Sequence, residues 1–129
     1  MRFRLVPPPA DIDRLETIRS TVPTDPTAVD DCCAHLCQHA DVPDRETARQ
    51  WLVFLQALGL VANRDGYVRT DLPVERERLQ QRFEQDVYGG REIREATESG
   101  QSVTSVADEL RAEEEYLRRL TGWLSVFER

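Results

Sequence analysis

The sequence predicts a mainly α fold: three helices and a β-hairpin in residues 1–72, followed by a helical C-terminal region in residues 73–129. Three observations predict it. Between Asp44 and Gly59 the residues Ala48, Trp51, Leu52, Leu55 and Leu58 recur at helical spacing and stop at a glycine. Two short apolar runs, Leu60-Val61-Ala62 and Tyr67-Val68-Arg69, flank the polar turn Asn63-Arg64-Asp65-Gly66, the pattern of a hairpin. From Pro73 onward the pattern is helical again.

Taken in order, residues 2–6 (Arg-Phe-Arg-Leu-Val) alternate as a short strand would, and Pro7-Pro8-Pro9 closes it. Asp11 to Arg19 places Ile12, Leu15 and Ile18 on one helical face. After the loop from Val22, Asp25 suits an N-cap and Pro26 the first helical position, so a second helix is expected from there to about His39. Asp41-Val42-Pro43-Asp44 is the turn out of it, and Asp44 caps the third helix. On that helix the apolar stripe is buried, while Arg45, Arg49, Gln50, Val53 and Gln56 fall on the other side. Beyond Pro73, Leu79, Phe83 and Val87 form a narrow seam that ends at Gly89-Gly90. Arg91 to Glu98 reads as a short helix, Ser99 to Ser102 as a break. A last helical region starts near Ser105, with Asp108 returning the capping bond.

Composition narrows the functional classes. The chain has 129 residues, 40% hydrophobic and 32% charged, enough for one domain or two very small ones sharing a core. No apolar run approaches the roughly 18 residues of a membrane span, and Met1 to Val6 run into prolines without the apolar segment of a signal peptide, so a cytoplasmic protein is expected. Three cysteines within six residues fit a reducing interior better than a disulfide scaffold. All 17 basic residues are arginine, against 24 acids, for a net charge of −7. Abundant Asp and Glu without lysine resembles proteins of extreme halophiles. An acidic total ordinarily counts against a nucleic-acid partner, but the excess is uneven. Residues 1–70 carry 8 arginines and 10 acids, residues 71–129 carry 9 and 14, and Arg45, Arg49, Arg64 and Arg69 face only Glu46 and Asp65 between Arg45 and Arg69.

Three helices followed by a hairpin, with T-A-R-Q-W-L-x-x-L-x-x-L-G-L-V leading into it and G-Y-V-R-T closing it, resembles the winged helix-turn-helix of small prokaryotic transcription regulators, here of haloarchaeal type. The resemblance covers roughly residues 10–70. It implies that the exposed side of the third helix enters the major groove of double-stranded DNA while the wing touches the backbone or minor groove. By position, Arg45, Arg49 and Gln50 would contact bases or phosphates and Arg64 would act from the wing, with Arg and Gln suited to bidentate readout of guanine and adenine edges. The alternative is that these residues form the solvated side of an amphipathic helix or a protein-docking face.

A weaker second copy follows. Residues Arg49 to Leu58 align without gaps on Arg118 to Phe127, and Val106 to Leu117 resemble a compact helix-turn-helix with the small Ala107 at the helix crossing. This copy departs from the pattern: Arg111 stands where glycine is usual, no wing follows Arg129, and Glu113-Glu114-Glu115 at the start of its reading helix would repel phosphate. Packing or dimerisation suits it better than DNA reading.

The helix containing Cys32, Cys33, His35, Cys37 and His39 is the one segment able to hold metal chemistry. Cys33/Cys37 and His35/His39 are i, i+4 pairs, and closely spaced cysteines resemble those of arsenic- and zinc-responsive winged-helix repressors. The helical wheel instead buries Val29, Cys33, Leu36 and Ala40, with Cys32 and Cys37 at the edges, as small apolar cysteines would be. No cofactor is expected. No phosphate loop, nucleophile elbow or H-E-x-x-H is present, so an enzyme is not expected. The sequence thus points to a DNA-binding regulator, a homodimer assembled through the Leu79/Phe83/Val87 helix or the C-terminal copy. The competing readings are a protein-interaction module using Val53 and Ala57, and a metal or redox sensor.

Overall fold

The computed structural model describes residues 2–128, Val103 by its backbone alone. Its helices are α1 (Ile12–Thr21), α2 (Cys32–His39), α3 (Arg45–Ala57), α4 (Arg76–Asp86), α5 (Gly90–Ser99), α6 (Val103–Leu110) and α7 (Glu114–Glu128); β1 (Val61–Asn63) and β2 (Tyr67–Arg69) form an antiparallel hairpin. The mainly α fold with three helices and a hairpin wing is therefore as the sequence predicts.

Local chemistry sets most boundaries. Asp11, Asp31 and Asp44 each accept a backbone N–H from three residues on, at 2.8, 3.1 and 2.7 Å, and so begin α1, α2 and α3. Gly59 ends α3 with φ +79°, a left-handed turn that a side chain would strain, and its N–H closes on Gln56. The wing pairs Val61 with Arg69 and Asn63 with Tyr67, and the Asn63 side chain accepts the Gly66 N–H across the turn at 3.3 Å.

Four boundaries differ from the sequence reading. The second helix starts at Cys32, not Pro26. Asp25 spends its carboxylate on the N–H and hydroxyl of Thr27, and Pro26 packs under Gly66 of the wing, so that first turn does not propagate. Residues 2–6 make a single parallel bridge, Phe3 to Val87, rather than a strand, because Val87 is one extended residue between two helices. For the same reason Val87 lies beyond α4, though still buried. The last pair of helices starts at Val103, with Ser102 and not Ser105 as the cap. The question of a wing after Arg129 lies outside the described residues.

One apolar core runs through both halves of the chain. Its centre is aromatic. Trp51 and Phe54 of α3, Phe83 of α4, and Trp123 and Phe127 of α7 touch in a chain of ring contacts with centroids 4.7–6.5 Å apart. Such pairs add about 0.5–1.5 kcal/mol each beyond the area they bury. The N-terminal segment straps the C-terminal half: the Trp123 indole N–H donates to the Pro7 carbonyl at 2.9 Å, Arg119 donates to the Val6 carbonyl at 2.9 Å, and Pro9 lies over Gly122. Leu79, Phe83 and Val87, expected as a dimer seam, are all fully buried in this core, so the seam closes within one chain.

Candidate nucleic-acid interface

The face opposite the core is built by the first turns of α3, the start of α2 and the wing. Arg45 and Arg49 are exposed on α3 and Arg64 is exposed at the wing tip. Asp31, which caps α2, also accepts from Arg45 at 2.7 Å. That guanidinium and the Ala34 N–H hold its carboxyl below the usual range, and the same ion pair raises Arg45. With side chains 66% and 47% exposed, this is a surface pair of small net value, open to exchange for another anion. Among the described residues, no acceptor binds the guanidinium of Arg49 or Arg64. Arg49 stands near enough to Tyr67 of the wing to favour its ionised form, against the larger upward push of burial.

Gln50 is placed differently. It is half-buried, and its side-chain oxygen accepts from Arg119 of α7 at 3.1 Å. The cause is the part of α3 that the sequence reading left out: Phe54 is fully buried, against Trp123. Helix α3 therefore buries two sides, one on α2 and one against Trp123 of α7, and leaves Arg45, Glu46 and Arg49 exposed, with Thr47, Gln50, Val53 and Gln56 half-buried. Ala57, expected on an exposed docking face, is fully buried. The i, i+3 pair Trp51/Phe54 was the available signal for this second face.

Arg19 was not singled out in sequence, yet it fixes the wing. From α1 it donates to the carbonyls of Leu60 at 3.3 Å, Thr70 at 2.5 Å and Leu72 at 2.6 Å, bridging both ends of the hairpin. Burial, then the charge of Arg69, lowers its pKa.

The charge of the face is net negative. Asp30, Asp31, Asp44, Glu46 and Asp65 are exposed around the three arginines. A groove of about 420 Å³ runs between the loop before α2 and the wing turn, lined by Pro26, Val29, Cys32, Cys33, Asp65 and Tyr67 among others.

Cys32 and Cys33 border this groove, and Cys37 lies outside its lining. All three are half-buried; burial pushes the Cys32 and Cys33 thiols up, and Cys32 points to the Tyr67 carbonyl at 3.9 Å. Of the expected stripe Leu36 and Ala40 are buried, whereas Cys33 is half-buried and Val29, also half-buried, lies in the loop before α2, because the helix starts only at Cys32. His35 Nε2 stands 3.1 Å from the Thr21 carbonyl oxygen, with the His39 ring 4.6 Å away. Among the described residues, no three His, Cys, Asp or Glu side chains gather so as to hold a metal ion, Cys33, Cys37, His35 and His39 included. Among them too, no helix is long and apolar enough to cross a membrane.

The two halves repeat one plan. Helices α5, α6 and α7 follow one another as α1, α2 and α3 do, and the turn before each third helix contains a left-handed residue, Asp41 in one and Arg111 in the other, both at φ 54°. Under the gapless alignment of residues 49–58 on 118–127, Gln50 matches Arg119 and Phe54 matches Trp123. Both matched pairs are in direct contact. Contact between equivalent positions is the mark of a two-fold interface, and α3 and α7 meet through these matched side chains.

No curated protein and no solved structure matches the chain. The family model of the halobacterial double winged helix domain matches residues 1–129, the whole chain, and it accounts for both the hairpin-bearing half and its repeat. The chain belongs to the halobacterial double winged helix domain family.

Proposed function

We propose that the protein is a DNA-binding regulator that reads duplex DNA with the start of α3 and the wing, using Arg45, Arg49 and Arg64. The observation that carries this reading is the location of the free guanidinium groups: Arg49 and Arg64 stand exposed and without an acceptor on the two elements that a winged helix presents to DNA. Arg45 joins them by exchanging Asp31 for phosphate. Gln50, tied to Arg119, is left out of the contact set. Residues 1–72 act as the reading unit and residues 73–129 as its brace.

Reading helices that enter successive major grooves lie about 34 Å apart, whereas α3 and α7 are in contact through Phe54 and Trp123. One chain therefore supplies one reading helix and occupies one half-site. Selection of duplexes from a random library at molar KCl tests the reading. Enrichment of a motif by the native protein, lost with Arg49→Ala plus Arg64→Ala, supports it, and a library that never enriches refutes it.

A protein-docking role is favoured by a different observation. The five acids around the reading face outnumber its three arginines, which limits phosphate neutralisation. On the far side of the hairpin, Leu72 is the exposed large hydrophobic of the described residues, beside a groove of about 480 Å³ with Phe3, Ala62 and Arg82. Stable co-purification with a protein that protects Leu72 would support this second reading.

A further inference from the structure

We infer that the pocket beside the α6–α7 turn is a binding site for an α-amino acid with a flat apolar side chain. The pocket has a volume of about 260 Å³ and is lined by Arg4, Tyr88, Arg111, Ala112, Glu113 and Tyr116. Its chemistry is two guanidinium groups, one carboxylate and two aromatic rings in a space sized for a small molecule.

Neither guanidinium is held by a carboxylate, a state they share with Arg49 and Arg64. Arg2, Arg45, Arg82, Arg94, Arg118 and Arg119 each have a carboxylate partner. Arg4 instead lies 4.2 Å from the Tyr88 ring centroid and, like Arg111, has no acceptor among the described residues, although Glu113 lines the same pocket. Unsatisfied guanidinium forks are the groups that bind a carboxylate in bidentate fashion. Glu113 is then available to an ammonium group on the same ligand, which selects a zwitterion over a simple anion.

The walls are held in place before any ligand arrives. The Tyr116 hydroxyl donates to the Tyr88 carbonyl at 2.6 Å, and the Tyr88 hydroxyl donates to the Leu110 carbonyl at 2.8 Å. Both phenols point their protons at backbone; Arg4 lies over the Tyr88 ring, so the Tyr116 ring is the surface on which a flat apolar side chain can lie.

Comparison of the repeats adds an independent argument. The matching turn of the first half is filled: Val42 is buried, and the Asp41 carbonyl accepts from Arg14 at 3.3 Å. The turn of the second half is open, although its Arg111 has the same φ of 54° as Asp41, so the two turns differ in filling and not in backbone.

Calorimetric titration of the full-length protein in molar KCl tests the assignment with three probes: L-phenylalanine, 3-phenylpropionate, which lacks the ammonium, and 2-phenylethylamine, which lacks the carboxylate. L-Phenylalanine is expected to bind most tightly, 3-phenylpropionate more weakly, and 2-phenylethylamine not at all. Arg111→Gly suits the left-handed turn, so the variant should keep its Tm while losing about tenfold or more in affinity for L-phenylalanine. Glu113→Gln should weaken L-phenylalanine and leave 3-phenylpropionate unchanged. Absence of binding by L-phenylalanine, L-tyrosine and L-tryptophan, equal binding of the amine, or affinity indifferent to both variants would each overturn the inference, whatever α3 is found to contact.

Discussion

The rings of Phe54 and Trp123 lie 4.7 Å apart, and the two residues occupy the same position in the two halves of the chain. Through this contact α7 is held against α3, and in the proposed function it braces that helix. The contact also removes the Phe54 side of α3 from solvent, where that ring is fully buried.

Trp123→Ala should therefore unfold both halves together. The side chain is fully buried, joins three ring contacts and holds Pro7 through its indole N–H. A loss of about 3–5 kcal/mol is expected from the cavity, read as a lower denaturation midpoint in a single transition. Two separate transitions would show that the halves are held independently.

Arg19→Ala should loosen the wing from α1. Three backbone carbonyls lose their donor at once, with an expected cost of about 1–3 kcal/mol. Lysine should not restore it, because one ammonium cannot reproduce the guanidinium fork that reaches Leu60, Thr70 and Leu72. Hydrogen exchange of the hairpin amides reports the effect directly: faster exchange in β1 and β2 with α5 to α7 unchanged.

Gly90→Ala should be severely destabilising, although its backbone needs no special conformation. A Cβ there would fall 2.2 Å from the Phe83 carbonyl oxygen, a backbone atom that cannot step aside without moving the end of α4. Gly100→Ala, whose Cβ would meet nothing within 4 Å, tests backbone strain alone at φ +76° and should cost only about 1 kcal/mol. Equal losses in the two variants would contradict the packing at Gly90.

The capping carboxylates give the fold an acid limit. Backbone N–H bonds hold the Asp44 carboxyl below its usual value, and Arg45 with the Ala34 N–H does the same for Asp31. A folded-state pKa below the unfolded one means a contribution present above the unfolded value, near 3.9, and lost as pH falls through the folded value. Tm should fall below about pH 4, and the Asp31→Asn plus Asp44→Asn protein should show a shallower fall over that range. An unchanged slope would show that other carboxylates set the limit.

The same residues show what the sequence makes legible. Asp44, Gly59 and the Asn63–Gly66 turn are read correctly because capping, left-handed conformation and hairpin closure are decided within a few residues. Asp25 and Asp31 are equally good caps in sequence. Only the packing of Pro26 on Gly66, 40 positions away in the chain, makes Asp31 the one that starts the helix. The second buried face of α3 is invisible locally, since its partner Trp123 lies in the repeat. For the same reason Gln50 looks like a DNA contact in sequence and meets Arg119 in the structure. The free arginines at 49 and 64 are legible as exposed positions, but their lack of acceptors is a tertiary fact.

The central claim is that α3 and the wing form the DNA-reading face, and a charge-matched comparison tests it most directly. Duplex affinity at one fixed salt concentration is measured for the native protein, for Arg49→Ala plus Arg64→Ala, and for Arg78→Ala plus Arg91→Ala, two exposed arginines away from that face. The account predicts a loss of about tenfold or more in the first variant and near-native affinity in the second. Equal affinities in all three proteins, or a larger loss in the second variant, would contradict it.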